Sequence, residues 1–164
     1  MHKTYRLNNG LPVVSYAVPH FQSVSIGIIT GAALFQESLS GEAHFLEHMC
    51  SRGTQKHTAK QIVEIVDTMG GYINAMTSRD YTLYYITVPT NYATEALALI
   101  IDLYTNSVLD EASIEKEKSI VLEEINMVTD TPDDYVHDLL YDTCFIKPFG
   151  NSILGTAASL AGIT

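Results

Sequence analysis

Short runs of alternating apolar and polar residues fill much of the first ninety positions, and a period of two is typical of β-strands. One run sets Val24, Ile26 and Ile28 on one side, with smaller residues between them. The turn signal Asn8-Asn9-Gly10 separates the first two runs and predicts a hairpin. The predicted strands are residues 5–7, 11–18, 23–30, 72–76 and 81–88.

Apolar residues elsewhere recur every three or four positions, which predicts amphipathic helices. Asp110 is a candidate N-cap, and Thr131 before Pro132 predicts a second start with a capping hydroxyl. The predicted helices are residues 41–51, 58–69, 91–107, 110–128 and 131–145. This order predicts an α+β fold, in which helices pack on one face of a mostly antiparallel sheet. The length predicts a single domain, residues 1–164.

Charge and cysteine content narrow the classes of function. The chain has 19 acidic residues against 9 Lys plus Arg, a formal net charge of −10, which argues against nucleic-acid binding. An acidic surface either favours basic peptides or serves solubility, and the second is the commoner case. No apolar run reaches the roughly 18 residues of a membrane span, and no signal core follows the first residues. We expect a cytoplasmic protein without membrane contact, whose Cys50 and Cys144 pack as small apolar residues.

The strongest chemical signal is the pentapeptide from His44 to His48, which falls on the first predicted helix. At about 100° per residue, the two histidines lie within about 40° of each other on one face. Two imidazoles one turn apart can reach a single cation, as zinc sites require. Glu47 beside them can take a proton from a zinc-bound water. H-x-x-E-H is a recognised zinc-peptidase pattern, but this pentapeptide alone also fits an exposed polar helix.

A third ligand is predicted from the helix over residues 110–128. Its apolar residues form one arc: Ile114, Ile120, Val121, Ile125, Met127 and Val128. Glu117 and Glu124 fall inside that arc, about 20° apart, whereas Glu123 faces solvent. Buried carboxylates are costly unless paired or bound to a cation, so Glu124 is favoured as the third ligand and Glu117 as a supporting group. The alternative is an internal salt bridge to Arg52, Arg79 or Lys118.

Four segments together resemble the pitrilysin family of zinc peptidases, family M16. They are residues 44–54, 70–77, 117–124 and 150–156, and the similarity extends over nearly the whole chain from about Tyr5. The resemblance implies that His44, His48 and Glu124 bind one Zn²⁺ per chain. It also implies Glu47 as the general base and Glu117 as a supporting catalytic acid. The implied function is zinc-dependent peptide hydrolysis by a metalloendopeptidase.

The resemblance also carries expectations about substrate and partner. It places Asn74 and Ala75 on an edge strand whose backbone pairs with an extended peptide or small protein substrate. Members of the family usually combine homologous α+β units, so we expect a second unit, in the same full-length chain or in a partner subunit. Residues 1–164 would end before the final helix and strand of one unit, which predicts little or no activity for the isolated chain. The alternative is a non-catalytic peptide-binding or partner subunit, although such units typically lose the H-x-x-E-H residues.

Overall fold

The first strands form the predicted hairpin. The structure, a computed structural model, describes residues 2–31, 33–34 and 36–164. Strands β1 (His2–Arg6) and β2 (Pro12–Tyr16) are antiparallel and form a two-stranded sheet of their own. Gly10 closes their turn at φ 89°, a conformation that glycine adopts without strain. Both strands are exposed along their whole length, so the hairpin adds little to the core.

A second, three-stranded antiparallel sheet lies at the centre of the fold. Its order is β3 (Ser23–Thr30), β5 (Thr82–Pro89), β4 (Tyr72–Thr77), so that β3 and β4 are its edges. Ile86 of β5 is completely buried and lies opposite Ile26 on one side and Ile73 on the other. Because side chains alternate between faces, this apolar face belongs to the core and the other face is largely open.

Helices cover the apolar face of the central sheet, which confirms the predicted α+β class. The helices are α1 (Glu42–Cys50), α2 (Ala59–Thr68), α3 (Ala93–Asn106), α4 (Glu111–Asp130), α5 (Pro132–Cys144) and α6 (Ala157–Ala161). The main core joins α2 and α3 to β5 through Ile62, Val66, Met69, Tyr84, Ile86, Val88, Ala96, Leu99, Ile100 and Leu103. None of the helices in the described ranges is long and apolar enough to cross a membrane.

A smaller core fixes α4 and α6 against α1. It consists of Phe45 and Met49 from α1, Val121 from α4 and Leu160 from α6, all buried. Truncating a buried Phe to Ala costs about 3–5 kcal/mol, so this cluster is a substantial part of what holds the helices together. The two helices that carry the candidate zinc ligands are therefore in direct contact.

Three expectations about the last helices are wrong. The Thr131 hydroxyl donates back to Met127 O at 2.7 Å, so it does not cap α5 through its side chain. Met127 is 62% exposed, although it was expected on the buried arc of α4. Cys144 is also exposed, as α5 contains no buried residue. Cys50, by contrast, is buried as predicted.

Candidate metal centre

The N-terminal end of α1 is fixed by close backbone contact with a distant loop. Gly41 adopts φ 88°, and a Cβ there would lie 2.5 Å from Leu154 O. Gly155, at φ 76°, presses in the same way against Ser40 O. Only glycine fits both positions, because each combines a left-handed conformation with a backbone neighbour where a side chain would begin. The loop over residues 150–156 therefore packs closely against the start of α1.

The Glu37 side chain caps the same helix end. Its two oxygens accept from the backbone N–H groups of Gly41 at 3.2 Å and Ala43 at 3.0 Å. Burial raises the pKa of Glu37, while these two hydrogen bonds oppose the shift. A negative group at the positive end of the helix dipole stabilises α1, which carries the histidines and Glu47.

Three side chains converge as the sequence predicts. His44 Nε2 and His48 Nε2 lie 3.2 Å apart. Glu124 Oε2, from α4, lies 3.4 Å from His48 Nε2 and 3.7 Å from His44 Nε2. One ligand atom from each residue falls within 4.8 Å of the others, the separation that a shared metal ion needs. Glu123 points to solvent, away from this cluster.

The chemistry of the three donors fits zinc. Two imidazole nitrogens and one carboxylate oxygen form a common catalytic zinc set, which leaves a fourth position open. Burial, followed by the neighbouring His48, lowers the pKa of His44 to about 4. A neutral imidazole with a free lone pair is the form that binds metal. His44 Nδ1 is buried and has no hydrogen-bond partner among the described residues.

Glu117 lies next to this cluster and orients His48, one of the candidate ligands. The residue has no exposed surface, and its Oε1 accepts from His48 Nδ1 at 2.9 Å. A proton held on Nδ1 leaves Nε2 of His48 free for a cation. Arg52 Nη2 donates to the same oxygen at 2.6 Å, and Arg52 Nε is in ion-pair contact with Oε2. The salt-bridge alternative thus holds for Glu117 with Arg52, while Lys118 pairs with Glu115.

Glu47 is bonded to the end of a strand of the central sheet. The Thr77 hydroxyl donates to Glu47 Oε2 at 2.5 Å. Thr77 is the last residue of β4 and lies opposite Thr82 in the register with β5. Sequence reasoning missed this contact. The only signal was that the segment over residues 70–77 resembles a family motif, which does not say what a threonine hydroxyl bonds.

Asn74 and Ala75 lie on β4, at the edge of the central sheet. Among the described strands, β4 pairs only with β5, so its other side is a free edge. Asn74 is exposed, and its Oδ1 accepts from the backbone N–H of Ala75 at 2.9 Å. A free edge next to α1 can pair with an extended peptide.

Arg79, another candidate partner for the buried glutamates, has a different role. It is buried in the β4–β5 turn, and it pairs with Asp138 Oδ1 at 3.1 Å. Its Nη1 donates to Phe149 O at 3.0 Å and also to Asn151 O. Its guanidinium carbon lies 3.6 Å from the centre of the Tyr141 ring. Arg79 therefore ties α5 and the loop that follows it to the hairpin that carries Thr77.

Several known proteins of similar sequence are named as zinc proteases or as peptidase subunits. The sequence model of the insulinase family, peptidase family M16, matches residues 13–157. A zinc protease of Bacillus subtilis (strain 168), described as uncharacterized, is 42% identical over 164 residues, which cover 98% of this chain and 40% of that protein. The mitochondrial-processing peptidase subunit beta of Saccharomyces cerevisiae is 33% identical over 165 residues, covering 99% of this chain and 36% of that protein.

Solved structures show the same fold. The crystal structure of a protease from Helicobacter pylori superposes with a TM-score of 0.93 at 27% sequence identity. The match covers 100% of this chain and 41% of that one. The chain thus spans about two fifths of the length of these similar proteins.

Proposed function

This chain belongs to the insulinase family of peptidases, M16, and from that membership we propose that it is the metal-binding unit of a zinc-dependent endopeptidase. In this proposal His44, His48 and Glu124 bind one Zn²⁺ per chain. The observation that carries it is the convergence of two imidazole nitrogens and a carboxylate oxygen, 3.2 to 3.7 Å apart, with Glu47 on the same helix as the two histidines.

The reaction is hydrolysis of a peptide bond. When bound, zinc supplies a Lewis acid that polarises the scissile carbonyl and makes water acidic enough to react near neutral pH. Oε1 of Glu47 accepts a proton from the attacking water, because Oε2 already accepts the hydrogen bond from Thr77. It then returns the proton to the leaving nitrogen as the C–N bond breaks. Glu117 supports the reaction by keeping His48 oriented.

We infer that the substrate is an extended peptide or small protein segment bound along β4. Asn74 and Ala75 would contact its main chain, and a substrate carbonyl could replace Asn74 Oδ1 at the Ala75 N–H. Recognition by backbone hydrogen bonds at a sheet edge depends little on side chains. The same geometry therefore supports a broad rather than narrow sequence preference.

A second homologous unit would complete the substrate chamber. The chain spans about two fifths of its relatives, and one of those relatives is named as a subunit of a peptidase. One wall of a chamber cannot exclude water from the reacting bond or hold both sides of a substrate. We therefore expect weak or absent cleavage by the 164-residue chain alone.

The experiment measures metal content and peptide cleavage together. The chain is assayed with and without a homologous second unit supplied in trans, and one zinc per chain and cleavage only in the mixture are expected. Glu47→Gln should keep zinc but lose about 10²- to 10⁴-fold in kcat, the usual contribution of a general base. Glu64→Gln, at an exposed position of α2, is the matched control.

Two results would overturn the proposal: absence of bound zinc, or wild-type cleavage by Glu47→Gln. Chelator-sensitive cleavage by the 164-residue chain alone would contradict only the requirement for a second unit. Zinc binding without cleavage in any mixture would favour the alternative of a non-catalytic peptide-binding subunit.

A further inference from the structure

We propose that Thr77 is a positioning residue for Glu47, which it orients by a hydrogen bond from the sheet. The inference rests on the proposed function, in which Glu47 is the general base. Among the described residues, Thr77 makes side-chain hydrogen bonds with Glu47 and Thr82 and none with the candidate metal ligands. Its effect on the reaction would pass entirely through the orientation of the Glu47 carboxylate.

The hydrogen bond from Thr77 distinguishes the two carboxylate oxygens of Glu47. Thr77 Oγ1 donates to Oε2 at 2.5 Å, within the short range of hydroxyl–carboxylate hydrogen bonds. No donor from the described residues contacts Oε1. One oxygen is therefore anchored, and the other remains available for a proton. A glutamate without this anchor would be free to rotate about its side-chain bonds.

The donor sits on a rigid part of the fold. Thr77 ends β4 and lies opposite Thr82, which is buried, and the two hydroxyl oxygens are 3.5 Å apart. A β-branched side chain has few χ1 choices, so the position of Oγ1 follows the backbone. The turn beyond Thr77 is closed by Ser78 N–H donating to Tyr81 O at 2.8 Å. The anchor is consequently fixed relative to the sheet.

The same strand would bind the substrate and orient the base. Ala75 and Thr77 are two residues apart on β4, so their side chains share a face of the strand. The backbone of β4 would fix the position of a peptide paired with its edge. The hydrogen bond from Thr77 fixes the position of Glu47 relative to the same strand. β4 would therefore hold the general base and the scissile carbonyl at a constant distance from each other. Loss of the hydroxyl should lower kcat much more than it changes KM.

The test uses the active assembly of this chain with a homologous second unit. Thr77→Val removes the hydroxyl at nearly constant volume, and we expect kcat to fall on the order of 10²-fold with KM and zinc content little changed. Thr77→Ser keeps the hydroxyl and should restore kcat to within about 3-fold. Thr87→Val is the matched control, because Thr87 also makes a hydroxyl contact within the sheet, to Ser25 Oγ at 2.8 Å. Unfolding midpoints are measured for every variant.

Each outcome decides the proposal. It is overturned if Thr77→Val keeps its kcat, if only KM changes, or if Thr77→Ser is as slow as Thr77→Val. If Thr77→Val does not fold, Thr77→Ala, which inserts no methyl group beside the carboxylate, replaces it under the same criteria. An active Glu47→Gln would defeat the proposed function itself, whereas an inactive Glu47→Gln with a fully active Thr77→Val would defeat only this inference. In the Glu47→Gln background, Thr77→Val should have no further effect on kcat.

Discussion

Arg52 forms an ion pair with Glu117, a glutamate that has no contact with solvent. The guanidinium is in ion-pair contact with both carboxylate oxygens, and Oε1 also accepts a hydrogen bond from His48 Nδ1. The side chain of Arg52 is 33% exposed, so the ion pair connects the protein surface to the buried carboxylate that contacts His48. Arg52 thereby balances the charge of a buried group whose partner is a candidate zinc ligand.

Arg52→Ala should weaken both folding and zinc binding. It leaves a buried carboxylate without its cation, and we expect a loss of about 1–3 kcal/mol in the free energy of unfolding, less than for a fully buried pair because Arg52 is partly exposed. Zinc affinity should fall about 10- to 100-fold, as when a group orienting a metal ligand is removed. Urea unfolding of the metal-free protein and zinc competition titrations measure the two effects.

Lys60→Ala provides the control for Arg52→Ala. It breaks an exposed pair with Glu64, 3.5 Å apart on α2, and should change stability by less than about 0.5 kcal/mol. Undiminished zinc affinity in Arg52→Ala would show that Glu117 orients His48 without its cation.

Glu124→Ala should abolish zinc binding at concentrations that saturate the wild type, whereas Glu123→Ala should not. Glu124 converges with the two imidazoles, and its neighbour points to solvent. A ligand that binds only the folded state at 100 times its Kd adds about 2.7 kcal/mol to the free energy of unfolding. Zinc should therefore raise the thermal midpoint of the wild type and of Glu123→Ala, but not that of Glu124→Ala. Equal zinc affinity in the two variants would remove Glu124 from the ligand set.

Arg79→Ala should lower the free energy of unfolding by about 2–4 kcal/mol, because it leaves Asp138 and two backbone carbonyls without their donor. Arg79→Lys should restore little, since one ammonium cannot replace a guanidinium that also lies over the Tyr141 ring. Urea unfolding measures both variants. Arg6→Ala, which loses one exposed hydrogen bond to Gly10 O, is the control. A wild-type urea midpoint for Arg79→Ala would mean that other contacts hold the loop.

The carboxyl group of Asp102 should make the free energy of unfolding depend on pH in the acid range. The Thr54 hydroxyl, ahead of Asn106 and Lys56, lowers the pKa of the Asp102 carboxyl below its ordinary value of 3.8. A lowered folded pKa stabilises the protein above the unfolded pKa, and this contribution disappears as pH falls through the folded pKa.

Asp102→Asn should therefore be less stable than the wild type at neutral pH, and the difference should shrink as pH falls below about 3.8. Thr54→Val should reduce the same pH dependence by removing its largest cause. Denaturant unfolding of the three proteins across this pH range measures the effect. A difference between wild type and Asp102→Asn that stays constant with pH would contradict it.

The elements were predictable because periodicity is a local property of the sequence. The Asn8-Asn9-Gly10 turn, the alternation through Ile26 and the Asp110 N-cap each act within a few residues, and the structure has all three. Met127 and Cys144 were misplaced because periodicity shows which face of a helix is apolar, without showing whether another element covers it.

The candidate site was also predictable only in part. His44 and His48 are one helical turn apart, and Glu124 lies within the apolar arc of α4, so helical wheels identify all three as candidate ligands. The packing of α1 against α4 is what brings them together. The partners that orient them are non-local. Arg52 reaches Glu117 across 65 positions, and Thr77 reaches Glu47 across 30. Such contacts depend on how the elements pack, and a single sequence does not contain that information.

The close packing of Gly41 and Gly155 against each other's neighbouring backbone also affects the order in which the site can form during synthesis. A growing chain emerges N-terminus first, so both imidazoles leave the ribosome more than a hundred residues before the loop that seats their helix. Long-range contacts of this kind form slowly, since a large chain segment must be ordered to close them. Until then, the two histidines can bind cations only as a loose pair. In the proposed zinc site, ordered binding of the metal would therefore follow the synthesis of this loop and the docking of Gly155 against Ser40.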